Sequence, residues 1–448
     1  MTAVSTSASR SANVAPGSAS GSDGHVLTRG FYQLTLVATF LTTAEIQLRA
    51  LPGLPGVSML ELVVAPVLLC VIAELLYRPV LRTRARALYR RNRAVVWYAG
   101  YAAVASLAGL TRTTDTLKSC HDLFIALALY TLVGLVIDDR ARMTRLLAAA
   151  LAGAMVNVGL AMLQIVFGGP YPVPMSANIE SKLDIAGEVA TTVPTGLFNH
   201  PNALAVCLLP VVLFLLAATG AGLRTSPRRG LVMAALLAPT LLVFEKTYAK
   251  GAYAWLGVGG CFLVLPRRFD RHRAWLAMVV SIAGIVALTW FSIDAFIEGD
   301  LAFGTIVSRI ELWLATVDIV RSDSFVTVFG SGGSQLARHT VTFEYPNAHN
   351  AWLDQALTYG VPALALYLAA YLASFRSLAR WIRSAPAGSR YVALATCASL
   401  VAILGESFFE PTNHGILFQA QLLLMFAIAA SPAWHPAQPA PRPESSTP

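Results

Sequence analysis

The chain has 448 residues, of which 56% are hydrophobic and 13% charged, and a formal net charge of +9. Soluble domains carry about 25% charged residues, so the composition excludes an ordinary soluble enzyme. The cations sit in short clusters between apolar spans, a placement that excludes a nucleic-acid surface and reads as a device for fixing membrane topology.

The first 27 residues are rich in Ser, Ala and Gly with no apolar core, and are predicted to form a disordered cytosolic tail rather than a cleavable signal peptide. Twelve apolar spans are predicted after it, near 31–44, 58–77, 94–110, 119–137, 143–167, 197–219, 230–244, 249–266, 274–295, 352–375, 389–406 and 415–431. A span needs roughly 20 residues to cross ~30 Å of hydrocarbon. The seventh and eighth are short and joined by Glu245-Lys246-Thr247-Tyr248, as in a hairpin of broken helices. Residues 28–431 are therefore expected to be one all-α, polytopic transmembrane domain, closed by a Pro-rich cytosolic tail at 432–448. The five cysteines (Cys70, Cys120, Cys207, Cys261, Cys397) fall in or beside the spans without a CxxC pair, which fits small buried residues rather than disulfides or a metal site.

With the N-terminus in the cytosol, the segments on the inner side hold 24 of the 33 Lys and Arg, seven of them between Arg78 and Arg93. That asymmetry supports cytosolic N- and C-termini. Nine cations remain for the outer side: Arg49, Arg112, Lys118, Lys182, Lys246, Lys250, Arg309, Arg321 and Arg338. Two outer loops are long, 168–196 and 296–351. In the second, Ile306, Ile310, Trp313 and Val317 recur at helical spacing, which predicts a short amphipathic helix on the outer leaflet.

Polar clusters gather at the outer face. In Thr195-Gly196-Leu197-Phe198-Asn199-His200-Pro201-Asn202, Pro201 is pre-set for a first helical position, and Asn202, a turn inside, needs a polar partner. Lys250 opens a span of small residues, where a cation is disfavoured by the helix dipole unless an anion lies between them. Arg309 adjoins the amphipathic helix, with a guanidinium suited to phosphate oxygens and Glu311 or Asp318 as local ion-pair alternatives. In Asn347-Ala348-His349-Asn350-Ala351-Trp352-Leu353, Asn350 is read as a helix cap and Gly360 as its stop, which leaves His349 for general-base work. Arg338, His339, Glu406, Glu410, Asn413 and His414 are further outer polar residues, of which Arg338, His339 and Glu410 are taken as candidate substrate contacts. No P-loop, GxGxxG turn or zinc-type histidine cluster appears.

In these clusters the sequence resembles the O-antigen ligase/polymerase superfamily of bacterial envelope-polysaccharide assembly. Gly196-Leu197-Phe198-Asn199-His200-Pro201-Asn202 is similar to its G-x-F-x-H-P-N element and Ala249-Lys250-Gly251-Ala252 to an S-R-G-A element. Ser308-Arg309 with Trp313 resembles a further arginine segment, and His349-Asn350 through Leu353 and Gly360 the H-N-x-x-L…G signature. Lys250 stands where the family more often has arginine.

The resemblance implies a GT-C-like glycosyltransferase of the bacterial inner membrane, with its active site on the periplasmic side. It implies transfer of a glycan from undecaprenyl pyrophosphate to a sugar hydroxyl, with inversion and without cofactor, metal or nucleotide sugar. The acceptor would be lipid A core or the growing polysaccharide. His349, Arg309 and Lys250 would be catalytic, with Asn202, His200, Asn350, Arg338, His339 and Glu410 around the substrate. A protein O-oligosaccharyltransferase, or a transporter or flippase of lipid-linked glycans, are the alternatives. Transporters usually place functional charge near the bilayer midplane, whereas the polar clusters here gather at one face.

Overall fold

Long runs of Leu, Val and Ala interrupted by short polar turns produce helices that pack along one another. A computed structural model describes residues 22–44, 47–48, 57–109, 115–167, 181–182, 191–198, 201–265, 270, 272–297, 304–331, 336, 348–410 and 416–431. In chain order the helices are α1 (Ser22–Leu41), α2 (Met59–Tyr77), α3 (Pro79–Arg91), α4 (Arg93–Gly109), α5 (Asp115–Val136), α6 (Arg140–Phe167), α7 (Pro201–Thr225) and α8 (Pro227–Lys246). They continue as α9 (Lys250–Val264), α10 (Arg273–Ile297), α11 (Gly304–Ser322), α12 (Ser324–Phe329), α13 (Ala351–Tyr359), α14 (Val361–Ser384), α15 (Ala387–Glu406) and α16 (Ile416–Ala430). The only strands among the described residues are two-residue antiparallel pairs, Gln47–Leu48 with Val57–Ser58 and Ser181–Lys182 with Thr191–Thr192. The first helix starts at Ser22, within the stretch assigned to the tail.

Among the described residues six helices are long and apolar enough to cross a membrane: α2, α6, α7, α8, α14 and α15 from Ser389. This is a helical membrane protein. The predicted twelve spans go beyond that set, and two of the additional ones are short. Both α9 and α16 have 15 residues, about 22 Å at 1.5 Å per residue, against ~30 Å of hydrocarbon.

One large core joins α7 to α8, α9 and α15, and α5 to α16. A second, small cluster is built by Leu312, Ile319, Val320 and Val326 with Ala348 and Leu357. It fastens α11 and α12 to α13, so these three helices form a cap that brings Arg309 and His349 onto the ends of the spans. The predicted amphipathic helix is α11, but Val317 is on its exposed side and Thr316 on its buried one. The packed face runs 309, 312, 313, 316, 319 and 320, one stripe at 3.6-residue spacing.

Two glycines lock the cap. Gly330 ends α12 at φ 73° and Gly360 separates α13 from α14 at φ 89°. A Cβ on Gly360 would lie 1.9 Å from the Val328 carbonyl oxygen, and positive φ at a residue with a side chain costs on the order of 1–3 kcal/mol by itself. Gly360→Ala is expected to lower the thermal midpoint of the purified protein and loosen the cap; a variant as stable as the parent would refute that packing.

Candidate active site

The chain enters α7 through a polar clamp. Two buried amides on α6 hold the segment before it: Gln164 Oε1 accepts from the Thr195 and Gly196 amides at 3.0 and 2.9 Å, and Asn157 Oδ1 accepts from Leu197 N at 2.8 Å. Phe198 is buried and stacks on Phe418 of α16. The segment so fixed delivers Pro201 to the first position of α7, as expected, and Asn202 to the second. His200, Arg338 and His339 lie outside the described residues, as do Asn413 and His414.

Lys250 is the first residue of α9 and is exposed. Gly251 beside it packs against a carboxylate: a Cβ there would lie 2.9 Å from Glu406 Oε2. Glu406 is 1% exposed at the last position of α15, and its Oε2 has no hydrogen-bond partner among the described residues. The preceding Gly405 lies flat against the fully buried Trp255 of α9, which fixes the end of α15.

Asn350 caps α13 as the sequence predicts, its Oδ1 accepting from Trp352 N at 3.0 Å and Leu353 N at 3.1 Å. Asp354, 1% exposed, reaches back to accept from Ala348 N at 2.8 Å, and Ala351 N donates to Ser407 O at 2.7 Å. The start of α13 is thereby tied to the end of α15. Between these anchors His349 adopts φ 48°, a left-handed backbone that few residues other than glycine take up. Such conformations persist where the surroundings over-determine them, often at functional sites.

Three elements, α7, α11 and the start of α13, meet at Glu410, in the turn after α15. Arg309 Nη2 donates to Glu410 Oε1 at 2.7 Å and Arg309 Nη1 to the Phe409 carbonyl at 2.6 Å. Asn202 Nδ2 donates to the same Oε1 at 2.8 Å. His349 Nδ1 stands 3.9 Å from Glu410 Oε2, an ion-pair distance rather than a hydrogen bond. Burial, the largest single influence, pushes the Glu410 carboxyl up, but Arg309 and His349 together outweigh it, so the group is held at about 2.

Glu410 is thus ionised throughout the working range, and Arg309 pairs with it rather than with Glu311 or Asp318. Two of the five guanidinium N–H donors of Arg309 are engaged in these contacts. Beside them, Asn350 Nδ2 and the indole nitrogens of Trp313 and Trp352 are buried without a hydrogen-bond partner among the described residues. The two indoles flank Phe408, with ring centroids 5.0 and 5.7 Å away. The site therefore offers a cation, an imidazole and several unused N–H donors around one fixed anion. Those groups suit a ligand rich in oxygen.

The pair also has a pH signature. An unfolded glutamate titrates near 4.3, above the folded value of about 2. Ionised Glu410 therefore favours the folded state fully above about pH 4.3, and that advantage disappears as pH falls toward 2. Glu410→Gln is expected to flatten the acid limb of thermal stability between about pH 5 and pH 3. An unchanged acid limb would contradict the pairing.

Among the described residues the ion pairs lie at or near helix ends. At the end opposite this site Arg273, 0% exposed, donates to Asp270 at 2.6 Å while Arg390 donates to it at 2.7 Å. A further group, absent from the sequence reading, consists of Glu61, His121 and Asp122. His121 Nδ1 is 3.6 Å from Glu61 Oε1 and 3.3 Å from Asp122 Oδ1, a donor set with metal-ligand chemistry. The other Glu61 oxygen is already engaged at the start of α2, accepting from Ser58 N in a capping box.

Residues 233–368 match the family model for O-antigen ligase. That match bears out the superfamily resemblance carried by the motifs within those residues. A search of curated proteins found no match to the chain. The O-antigen ligase region contains Lys250, Arg309, His349 and Asn350. Asn202, Glu406 and Glu410 fall outside it, and the fold alone brings Asn202 and Glu410 to Arg309 and His349.

Glu406 and the α6 amides were not assigned to the site from sequence. Their signal was there in weak form: ionisable or amide side chains at the end of an apolar span are rare unless they have a partner or a task. Glu406 and Glu410 are four residues apart at such an end.

Proposed function

We propose that the protein transfers a glycan from undecaprenyl pyrophosphate to a sugar hydroxyl on the periplasmic side of the inner membrane, as an O-antigen ligase or polysaccharide polymerase with a GT-C-like fold. The reading rests chiefly on the convergence of Arg309, Asn202 and His349 on Glu410 from α11, α7 and the start of α13.

In this mechanism the acceptor hydroxyl oxygen attacks the anomeric carbon of the donor sugar. The bond from that carbon to the diphosphate oxygen breaks, and its electron pair leaves with the lipid pyrophosphate. His349 takes the hydroxyl proton on Nε2, with Nδ1 turned to Glu410. An anion beside one ring nitrogen favours the tautomer with its hydrogen there and supports the charge that forms on the ring. Arg309 and Lys250 oppose the charge that builds on the leaving group, a task for preorganised cations. Glu410 is a positioning residue: it holds Arg309 and Asn202 in place rather than touching sugar. Asn350 Nδ2 and the indole N–H groups of Trp313 and Trp352 supply further donors for phosphate or sugar oxygens. His200, Arg338 and His339 are proposed as further substrate contacts, and a single displacement inverts the anomeric configuration.

Purified full-length protein given a glycan on undecaprenyl pyrophosphate and an acceptor glycan is expected to release undecaprenyl pyrophosphate in step with product, with inverted linkage and undiminished rate in chelator. A product of retained configuration, or transfer that stops with chelator and resumes with a divalent cation, would overturn the mechanism.

A further inference from the structure

At the end of the molecule remote from the candidate site lies α3, a 13-residue helix with the sequence PVLRTRARALYRR. A single residue separates it from α2 on one side, and a single residue from α4 on the other. It therefore cannot leave the plane in which those two helices end. Its C-terminus marks which end this is, because Arg91 donates to the carbonyl of Ala430, the last residue of α16. That helix begins at Ile416, just after the Glu410 turn, so α3 and the candidate site lie at its opposite ends.

The packing of α3 is one-sided. Ala85 and Leu88 are buried, in contact with α5. Arg78, Arg84 and Arg91 have partners within the protein, in Glu74, Asp138 and the Ala430 carbonyl. Arg82, Arg86, Arg90 and Arg93 do not: they are exposed, and none has an ion pair among the described residues. Arg82, Arg86 and Arg90, at successive spacings of four, lie in one row on α3 turned away from Ala85 and Leu88, and Arg93 opens α4 just beyond the end of that row.

Like charges at that spacing repel. The helix dipole accounts for a cation in the last turn, as at Arg90, but not for Arg82 or Arg86 nearer the start. Nor do the terminal segments provide counter-charge. Residues 1–21 contain no Asp or Glu, and residues 432–448 contain only Glu444. Such a row calls for anions from outside the chain.

The surroundings say which anions. Tyr77, the last residue of α2, is 83% exposed and Trp97, in the first turns of α4, is 68% exposed. Aromatic rings standing outward at span ends mark the headgroup level of a bilayer. We propose that the outward face of α3 is a docking surface for anionic phospholipid headgroups, with their phosphates paired to the row Arg82, Arg86 and Arg90 and to Arg93 just beyond it. A guanidinium grips a phosphate with two parallel N–H bonds, and a basic helix lying in the interface gains from anionic lipid. The row exceeds what topology requires, because three other arginines of the same segment are already engaged. This inference is independent of the glycan-transfer reading.

Native mass spectrometry of the full-length protein, equilibrated with equal amounts of phosphatidylglycerol and phosphatidylcholine in detergent, tests it. The parent should retain phosphatidylglycerol several-fold over phosphatidylcholine. Arg82→Gln/Arg86→Gln/Arg90→Gln should lose that preference. Arg228→Gln/Arg229→Gln, two exposed cations at the start of α8 on the same side, should keep it. A parent without preference, a triple variant that keeps it, or equal loss in both variants overturns the proposal.

Should the triple variant fail to fold, a photo-cross-linking phosphatidylglycerol on the parent decides. Label concentrated on residues 79–93 supports the surface, and label elsewhere refutes it. Displacement of that label from α3 by a co-purifying acidic protein would assign the row to a protein partner and refute it too.

Discussion

Replacing His349 with alanine is expected to slow glycan transfer by about 10²–10⁴, the range a positioned general base contributes. The expected loss is in the chemical step, since His349 is proposed to act on the acceptor proton and not to hold the donor. Binding of donor should be nearly unchanged, and the protein should insert and purify as the parent does, because the cap at α13 is made by Asn350 and Asp354. Near-normal transfer by a well-inserted His349→Ala protein would remove the base from the mechanism. His349→Asn, which keeps a polar side chain able to occupy left-handed backbone, separates loss of the imidazole from distortion of the loop: it should be as slow as the alanine variant.

The second large effect is expected at Arg309. Arg309→Ala removes the cation proposed to face the diphosphate and also strands Glu410, which then keeps the Asn202 amide as its hydrogen-bond donor among the described residues. Loss of one preorganised electrostatic group costs about 10²–10³ in rate, while breaking a fully buried ion pair costs about 3–5 kcal/mol of stability, an upper bound for this partly exposed pair. The two consequences are separable. Adding Glu410→Gln to Arg309→Ala leaves no buried anion to be compensated, so stability should largely return while transfer stays lost. If transfer returns together with stability, Arg309 only supports the fold. At the other proposed cation, Lys250→Ala should abolish transfer and Lys250→Arg should be tolerated, as the family's usual arginine implies.

What sequence could reveal follows from the range of each interaction. The Asn350 cap, Pro201 opening α7 and the helix over 304–322 depend on neighbours within a turn or two, and local pattern exposes them. The Arg309–Glu410 pair joins residues 101 apart, and no local period records it; the nearby Glu311 and Asp318, the local alternatives, are not the partners. The clamp of Asn157 and Gln164 on the segment before α7 was missed for the same reason, since both amides sit inside an apolar span. Hydropathy placed α9 and α16 to within a residue or two, but it ran straight through Gly360, where the predicted span 352–375 divides into α13 and α14. The positive charge of residues 78–93 read as a topology signal; only the fold separated the arginines paired within the protein from the row left facing outward.

The central claim is that Arg309 and its neighbours form a diphosphate site organised by Glu410. Equilibrium binding of undecaprenyl pyrophosphate to the full-length protein in nanodiscs tests it most directly, comparing the parent with the Arg309→Ala/Glu410→Gln protein, in which the buried pair is removed as a unit. Binding by the double variant is expected to be weakened at least about tenfold, or ~1.4 kcal/mol. Equal affinity in the two proteins would contradict it.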